Sequence, residues 1–262
     1  MMVAVRISQR SYTGSRDHNE DCVGVERVGQ HWCMVVSDGA GGHSDGALAS
    51  RMAVDRILAG FRSRPPTDAH DLGELMMDAH DGIVAAQRSR GVTDRAHAMH
   101  ATAVVLLVDA GAGRALWGSV GDSRVYLVRG GRASPLTRDD SVLQWLVDSG
   151  FGQPEQLQHH PQRHHLMAAL GAGERFEPHV SNEPLDLRDH DAFLLCSDGW
   201  WHSVADGDVE RLLTGAATPE DWLDAMAGCV TTQADPHQDN FSAIGCWIAA
   251  ATRRTGSEPA QA

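Results

Sequence analysis

The chain has 262 residues, 42% hydrophobic and 22% charged, enough to bury one large core or to divide into two small domains. Its formal net charge is −13 and it has no lysine; that acidity argues against a nucleic-acid binder, which would need a basic face. No apolar run approaches the roughly 18–20 residues that span a bilayer, and Met1–Arg6 lacks the pattern of a signal peptide. A cytoplasmic protein without membrane contact is expected.

In chain order, Val23–Val28 and Trp32–Val36 read as strands, and Ala47 to Leu58 as a helix. Leu75, Ala79, Ile83 and Ala86 fall on one helical face. Strands follow at Ala103–Val108, Ala115–Val120 and Val125–Val128, the last running into an Arg129-Gly130-Gly131-Arg132 hairpin turn. Arg138 to Pro184 opens with a helical patch (Val142, Leu143, Leu146, Val147) and continues through Gly, Pro, Gln and His. So long a segment with little sheet pattern reads as a functional flap. A strand at Phe193–Cys196 precedes helices at Val209–Leu213 and Pro219–Val230, the second capped by Thr218, and Ile244–Ala249 is the final strand. There is no repeat and no linker. One domain over 1–252, a flap at about 138–184 and a frayed tail at 253–262 are expected. Short connections between many strands favour antiparallel sheets covered by helices, an α+β layered fold.

The five cysteines (Cys22, Cys33, Cys196, Cys229, Cys246) include no C-x-x-C pair and mostly sit in or beside apolar runs. They read as small buried hydrophobes in a reducing compartment.

Carboxylates recur where buried strands end. Trp32–Val36 runs into Ser37-Asp38-Gly39, Phe193–Cys196 into Ser197-Asp198-Gly199, and Ala115–Val120 into Gly121-Asp122, while Asp239-Asn240 precedes the last strand. Any one of these reads as a plain turn. Together, with the echoed Ser-Asp-Gly, they point to a shared cation, and oxygen donors suit Mg²⁺ or Mn²⁺. In Gly14-Ser15-Arg16-Asp17-His18-Asn19-Glu20-Asp21, an arginine beside acids reads as a phosphate fork next to a metal shell, or as a solvated charge cluster. Bound cations would locally reverse the repulsion that an acidic chain exerts on a phosphate.

These residues resemble the metal-dependent serine/threonine protein phosphatases, the PPM or type 2C family. The motifs occur in family order: G-S-R-D-H-N-E-D from Gly14, V-V-S-D-G-A-G-G-H from Val35, G-D-S-R from Gly121, S-D-G from Ser197 and D-N from Asp239. L-T-R-D-D-S from Leu136 and H-P-Q-R from His160 are similar to the bacterial branch. The resemblance implies a β-sandwich of two antiparallel sheets flanked by helices, with two metals in a cleft at one edge. It implies that Asp38 bridges both metals, Gly39 offers its carbonyl to the second, and Asp198 and Asp239 complete the first. Glu20 would reach the second metal through water with Asp21 in support, Arg16 would hold the phosphate, and Asp122 would bind a third, weaker metal. Two cations about 3.5–4 Å apart then share a water, lower its pKa and aim it at phosphorus, so no phosphoenzyme and no role for Cys196 is expected.

The chain departs from the family at three places. Ala40 stands where many eukaryotic members have a histidine, leaving His43 or a water on a cation as proton donor. His202 replaces an acidic residue that helps the third metal in some members, and His100-Ala101 replaces an expected glycine. His159, His160, His164 and His165 fit no standard metal spacing and read as a solvated flap; at least one of Trp200 and Trp201 should pack in the core. The implied partners are phosphorylated proteins, with a Ser/Thr kinase and its substrates, and a monomer is expected. The aromatic pair resembles bacterial phosphatases that oppose a kinase controlling type VI secretion; another kinase–phosphatase pair is equally consistent. The alternatives are a catalytically dead phosphoprotein-binding relative, which should have lost a metal-binding acid, and a hydrolase of small phosphate esters.

Overall fold

The computed structural model describes residues 2–40, 44–92, 98–151, 165–173, 177–233 and 235–251. In chain order the strands are β1 (Val3–Tyr12), β2 (Cys22–Val28), β3 (His31–Ser37), β4 (Gly39–Ala40), β5 (His100–Ala101), β6 (Ala103–Asp109) and β7 (Arg114–Val120). Next come β8 (Arg124–Arg129), β9 (Arg132–Pro135), β10 (His179–Val180), β11 (Leu185–Asp186), β12 (Ala192–Cys196) and β13 (Phe241–Ala250). The helices are α1 (Ser44–Ser63), α2 (Ala69–Ser89), α3 (Val142–Asp148), α4 (Asp198–Trp201), α5 (Asp206–Gly215) and α6 (Pro219–Thr232).

Two antiparallel sheets carry the architecture. One runs β1-β13-β12-β8-β9, the other β10-β7-β6-β3-β2 with β11 also on β7. Their strands read as unbroken apolar runs because both faces are covered. In β3, Met34 and Val36 point between the sheets while Cys33 and Val35 meet α1 and α2. In β12, Phe193 and Leu195 fill the same sandwich while Leu194 and Cys196 pack under α4, α5 and α6. The period-2 alternation thus feeds three apolar layers, giving an α-β-β-α stack.

The apolar strands and helices expected from the sequence are present, with ends extended by a few residues. The hairpin has Gly130 and Gly131 at φ 61° and 78°, as a type I′ turn demands. Thr218 caps α6 by accepting from Asp221 N at 3.0 Å. Cys33, Cys196 and Cys246 are buried thiols, and the pairing is free of disulfides among the described residues. Strand β1 was not legible. It runs ten residues against β13, yet alternates apolar Val3, Val5 and Ile7 with polar side chains because it is an edge strand. Its Arg10 reaches out to Asp224 (2.6 Å) and Glu220 (2.9 Å) on α6. His159, His160, His164 and the 253–262 tail lie outside the described residues; His165 is exposed.

Phe193 is fully buried between the sheets, so Phe193→Ala should cost about 3–5 kcal/mol of stability. The exposed Met167→Ala should stay within about 0.5 kcal/mol of wild type. Urea titrations measure both.

Candidate active site

Topology gathers the acids. β3 and β7 are each antiparallel to β6, so their C-terminal ends share one edge of the sandwich. In the other sheet, β12 ends beside the start of β13 and the start of β8. Two connections cross between the sheets at this edge: residues 13–21 from β1 to β2, and 121–123 from β7 to β8. A cleft of about 380 Å³ opens there, lined by Arg16, Glu20, Asp38, Gly39, Asp122, Asp198 and Asp239, with Asp17, His18, Thr102 and Asn240.

Every acid expected from the sequence to hold a cation lines this cleft except Asp21. Asp21 stands beneath it, one carboxylate oxygen accepting from the Ser197 hydroxyl at 2.7 Å and the other buried without a hydrogen-bond partner. His43 lies outside the described residues; His18 is a described histidine that does line the cleft. His202 packs behind Asp198, with Nδ1 3.7 Å from its carboxylate. Trp200 is fully buried, as expected for one of the pair. Ala101 fills the position where a glycine was expected: it is fully buried and pairs with Gly39 and Leu170.

The echoed Ser-Asp-Gly has a steric cause. A Cβ on Gly39 would stand 2.2 Å from the Gly46 carbonyl, and one on Gly199 would stand 2.2 Å from the Asn240 carbonyl. In both cases backbone from another segment crosses directly over the acid's neighbour, which only glycine permits.

Two residues that the motif reading left without a role hold the acids in place. Asn240 accepts from Glu20 N at 2.8 Å and donates to the carbonyls of Thr13 (2.7 Å) and His18 (3.0 Å). One side chain thereby fastens the whole 13–20 crossing to the start of β13. Thr102 accepts from Asp38 N at 3.0 Å, donates its own N–H to Asp38 O at 2.8 Å, and meets the Ser123 hydroxyl at 2.7 Å. An amide next to an aspartate, and a threonine at a strand start, were the available signals.

The electrostatics are those of a crowded anion cluster. Loss of water on the cleft floor pushes the Asp38 carboxyl well above the usual range, and Asp21, Asp198, Asp122 and Asp239 push it further. Burial and then Asp198 and Asp139 do the same to Asp122, against the pull of Arg124. Burial raises Asp21 to about 7, partly opposed by the Ser197 hydroxyl that donates to it. Burial also pushes the Cys196 thiol far up, consistent with an inert cysteine. Arg16 spans the cleft rim and bonds Asp239 Oδ2 at 2.6 Å. As they stand, no three described His, Cys, Asp or Glu side chains close into an ion-sized shell. The donor chemistry nevertheless fits hard divalent cations: oxygen atoms only, several of them carboxylates, and one buried Asp21 oxygen without a donor.

The fold is that of solved bacterial serine/threonine phosphatases. The PstP catalytic domain, solved in complex with two manganese ions, matches at TM-score 0.78 and 26% identity, covering 95% of this chain and 100% of that one. PppA, a key regulatory component of T6SS in Pseudomonas aeruginosa, matches at TM-score 0.75 and 26% identity, covering 94% and 99%. The serine/threonine protein phosphatase PstP of Mycobacterium tuberculosis is 33% identical over 220 residues, 83% of this chain and 40% of that protein. The chain therefore spans less than half the length of that relative. Residues 9–241 match the Protein phosphatase 2C family, and the chain belongs to it.

The raised Asp21 pKa sets a sign for stability. A folded pKa of about 7, above the unfolded value, contributes stability that is complete below about pH 4 and is lost as pH rises through 7. Chelator-treated wild type should therefore lose more melting temperature, or gain less, between pH 5 and pH 8 than Asp21→Asn does, and Mn²⁺ should raise Tm more at pH 8. Because burial lowers the His80 and His100 pKa values and so favours the folded state as pH rises, the decisive reading is the difference between the two proteins: a pH slope that Asp21→Asn leaves unchanged would contradict the crowding.

Proposed function

We propose that this chain hydrolyses phosphoserine and phosphothreonine in proteins, with the cleft at the sandwich edge as its active site and divalent cations as cofactor. The observation that supports this reading most is the convergence of six carboxylates, from segments at the ends of both sheets, on one cleft rimmed by an arginine, in a chain of the type 2C family.

In this reading, Asp38, Asp198 and Asp239, with the Gly39 carbonyl and Glu20, hold two cations, and Asp122 holds a third. Oxygen donors favour Mn²⁺ or Mg²⁺. When bound, such cations supply an acidified water and neutralise phosphoryl charge. The chain's own residues do the rest. Arg16, more than half exposed, presents a planar fork to two phosphoryl oxygens, and its bond to Asp239 keeps that fork over the cleft. Thr102 and Asn240 fix Asp38 and Glu20 through their backbones, so the donors are set before substrate arrives. Residues 1–252 are taken as one phosphatase domain with a flap at about 138–184.

Phosphorylated proteins, and a Ser/Thr kinase whose products they are, are the proposed partners. The likeness to PppA supports a link to type VI secretion. Among the described residues no helix is long and apolar enough to cross a membrane; we place the chain in the cytoplasm as a monomer.

Phosphate release from a phosphothreonine peptide, with and without Mn²⁺, tests the reading. Wild type should require the cation, and Asp239→Asn should lose on the order of 10²-fold or more in kcat/KM, the scale of losing one charged stabilising group. Arg16→Ala should mainly raise KM for the peptide. Folded, Mn²⁺-loaded wild type that cleaves free nucleotides but no phosphopeptide would replace the proposal with a small-ester hydrolase. Release from neither would leave a phosphoprotein-binding role.

A further inference from the structure

The helix-facing side of the second sheet changes character along its length. Cys33, Leu107 and Leu116 lie directly opposite one another on β3, β6 and β7 and pack with Phe61 of α1. Two residues further along each strand, on the same face, His31, Asp109 and Arg114 form the next row. The apolar row is buried, while the side chains of His31, Asp109 and Arg114 are 38%, 36% and 60% exposed.

A cavity of about 140 Å³ lies between these rows and the α1–α2 connection. Leu107, Leu116, Phe61 and Pro66 give it apolar walls, and His31, Asp109 and Arg114 are the charged or titratable groups that line it. It shares no residue with the acid-lined cleft. Strands β3 and β7 both run from this cavity to the cleft edge, so roughly 20 Å of strand separates the two.

The charged groups are open to a ligand. Asp109 Oδ1 accepts from Gly111 N and Ala112 N, both at 2.9 Å, which fixes the carboxylate. Its Oδ2 stands 4.0 Å from His31 Nδ1. Arg114 Nε meets Asp186 Oδ1 at 3.4 Å, and Asp186 is 85% exposed. So exposed a pair holds little net energy, and a ligand carboxylate displaces it at small cost.

We propose that this cavity is a binding site for a free α-amino acid with an aromatic side chain, its ring inside, its ammonium on Asp109 and its carboxylate on Arg114. The volume selects the side chain, since an apolar cavity of about 150 Å³ accommodates benzene. The register selects the head. Asp109 and Arg114 are direct cross-strand partners, about 5 Å apart at Cβ, so one acid and one base serve the two ends of a single amino acid. An aryl acid lacking the ammonium would bring its carboxylate beside Asp109 uncompensated. A residue inside a peptide would offer neither charge. The site stands apart from the cleft, and its test reads binding without any phosphatase assay.

L-Phenylalanine is titrated into wild type, Asp109→Asn and Arg114→Gln, each first shown to melt cooperatively, while NMR follows the methyl groups of Leu107 and Leu116. Asp109→Asn keeps an acceptor for the Gly111 and Ala112 amides and removes the charge. Three analogues are titrated into wild type: 3-phenylpropionate, phenethylamine and N-acetylphenylalaninamide. L-Phenylalanine should shift both leucines saturably. Every analogue, and L-phenylalanine on either variant, should bind about 10-fold or more weakly, the scale of one charge-assisted hydrogen bond. No saturable shift up to the solubility limit of L-phenylalanine would overturn the site. Equal binding by 3-phenylpropionate would make it an aryl-acid pocket, and equal binding by N-acetylphenylalaninamide a peptide pocket; either result overturns the free amino acid. Wild-type affinity in both variants would show that Asp109 and Arg114 do not hold the head, and the proposal would fall.

Discussion

Mutual repulsion among carboxylates is the constraint the rest of this structure answers to. Asp38 feels Asp21, Asp198, Asp122 and Asp239 at once, on top of its own loss of water. Left to side chains alone, such a cluster would disperse into solvent. Here the acids are mounted on backbone that cannot disperse. Asp38 is held at both its N–H and its carbonyl by Thr102, Glu20 at its N–H by Asn240, and Asp122 at its carbonyl by Trp201. These restraints act on the main chain and leave carboxylate oxygens directed at the cleft, which is the arrangement a cation site needs and a turn does not.

The sandwich supplies the leverage. Because neighbouring strands are antiparallel, alternate strand ends fall on the same edge, and the acids placed there come from segments more than two hundred residues apart. Opposing them costs burial of three apolar layers: helices on each outer face and the interdigitated Met34, Val36, Phe193, Leu195 and Ile244 between the sheets. Hydrophobic burial of that extent is the favourable term large enough to hold several unneutralised acids in one place. The site is then a local violation of good packing chemistry that the global fold sustains, the usual relation between function and stability.

That division also decides what the sequence could show. The buried strands were legible because coverage on both faces turns them into plain apolar runs, and the motif acids because strand ends followed by Asp-Gly leave a local signature. Strand β1 was hidden because its outward side chains are polar and its pairing with β13 is non-local. The roles of Asn240 and Thr102 were hidden for the same reason: each acts across more than sixty residues of sequence, on the backbone of another segment. L-T-R-D-D-S is an intermediate case. It was visible as text, but only the structure explains its residues: Thr137 accepts from Val125 N, Asp139 grips Arg124, Asp140 binds Gly121, and Ser141 caps α3.

The overall charge carries the same logic outward. A chain at −13 presents a long-range field that opposes a phosphorylated partner, screened beyond about 8–10 Å at physiological salt. Arg16 bonds an acid of the cleft directly and is in part committed to Asp239. One guanidinium cannot invert the sign of a cleft lined by six carboxylates. Divalent ions held as proposed would, since each brings two positive charges to the cleft. In the proposed reading, the acids that repel one another in the bare protein are the same groups that would make phosphate capture conditional on cations, so affinity for the substrate and affinity for the cofactor would follow from a single arrangement of charge.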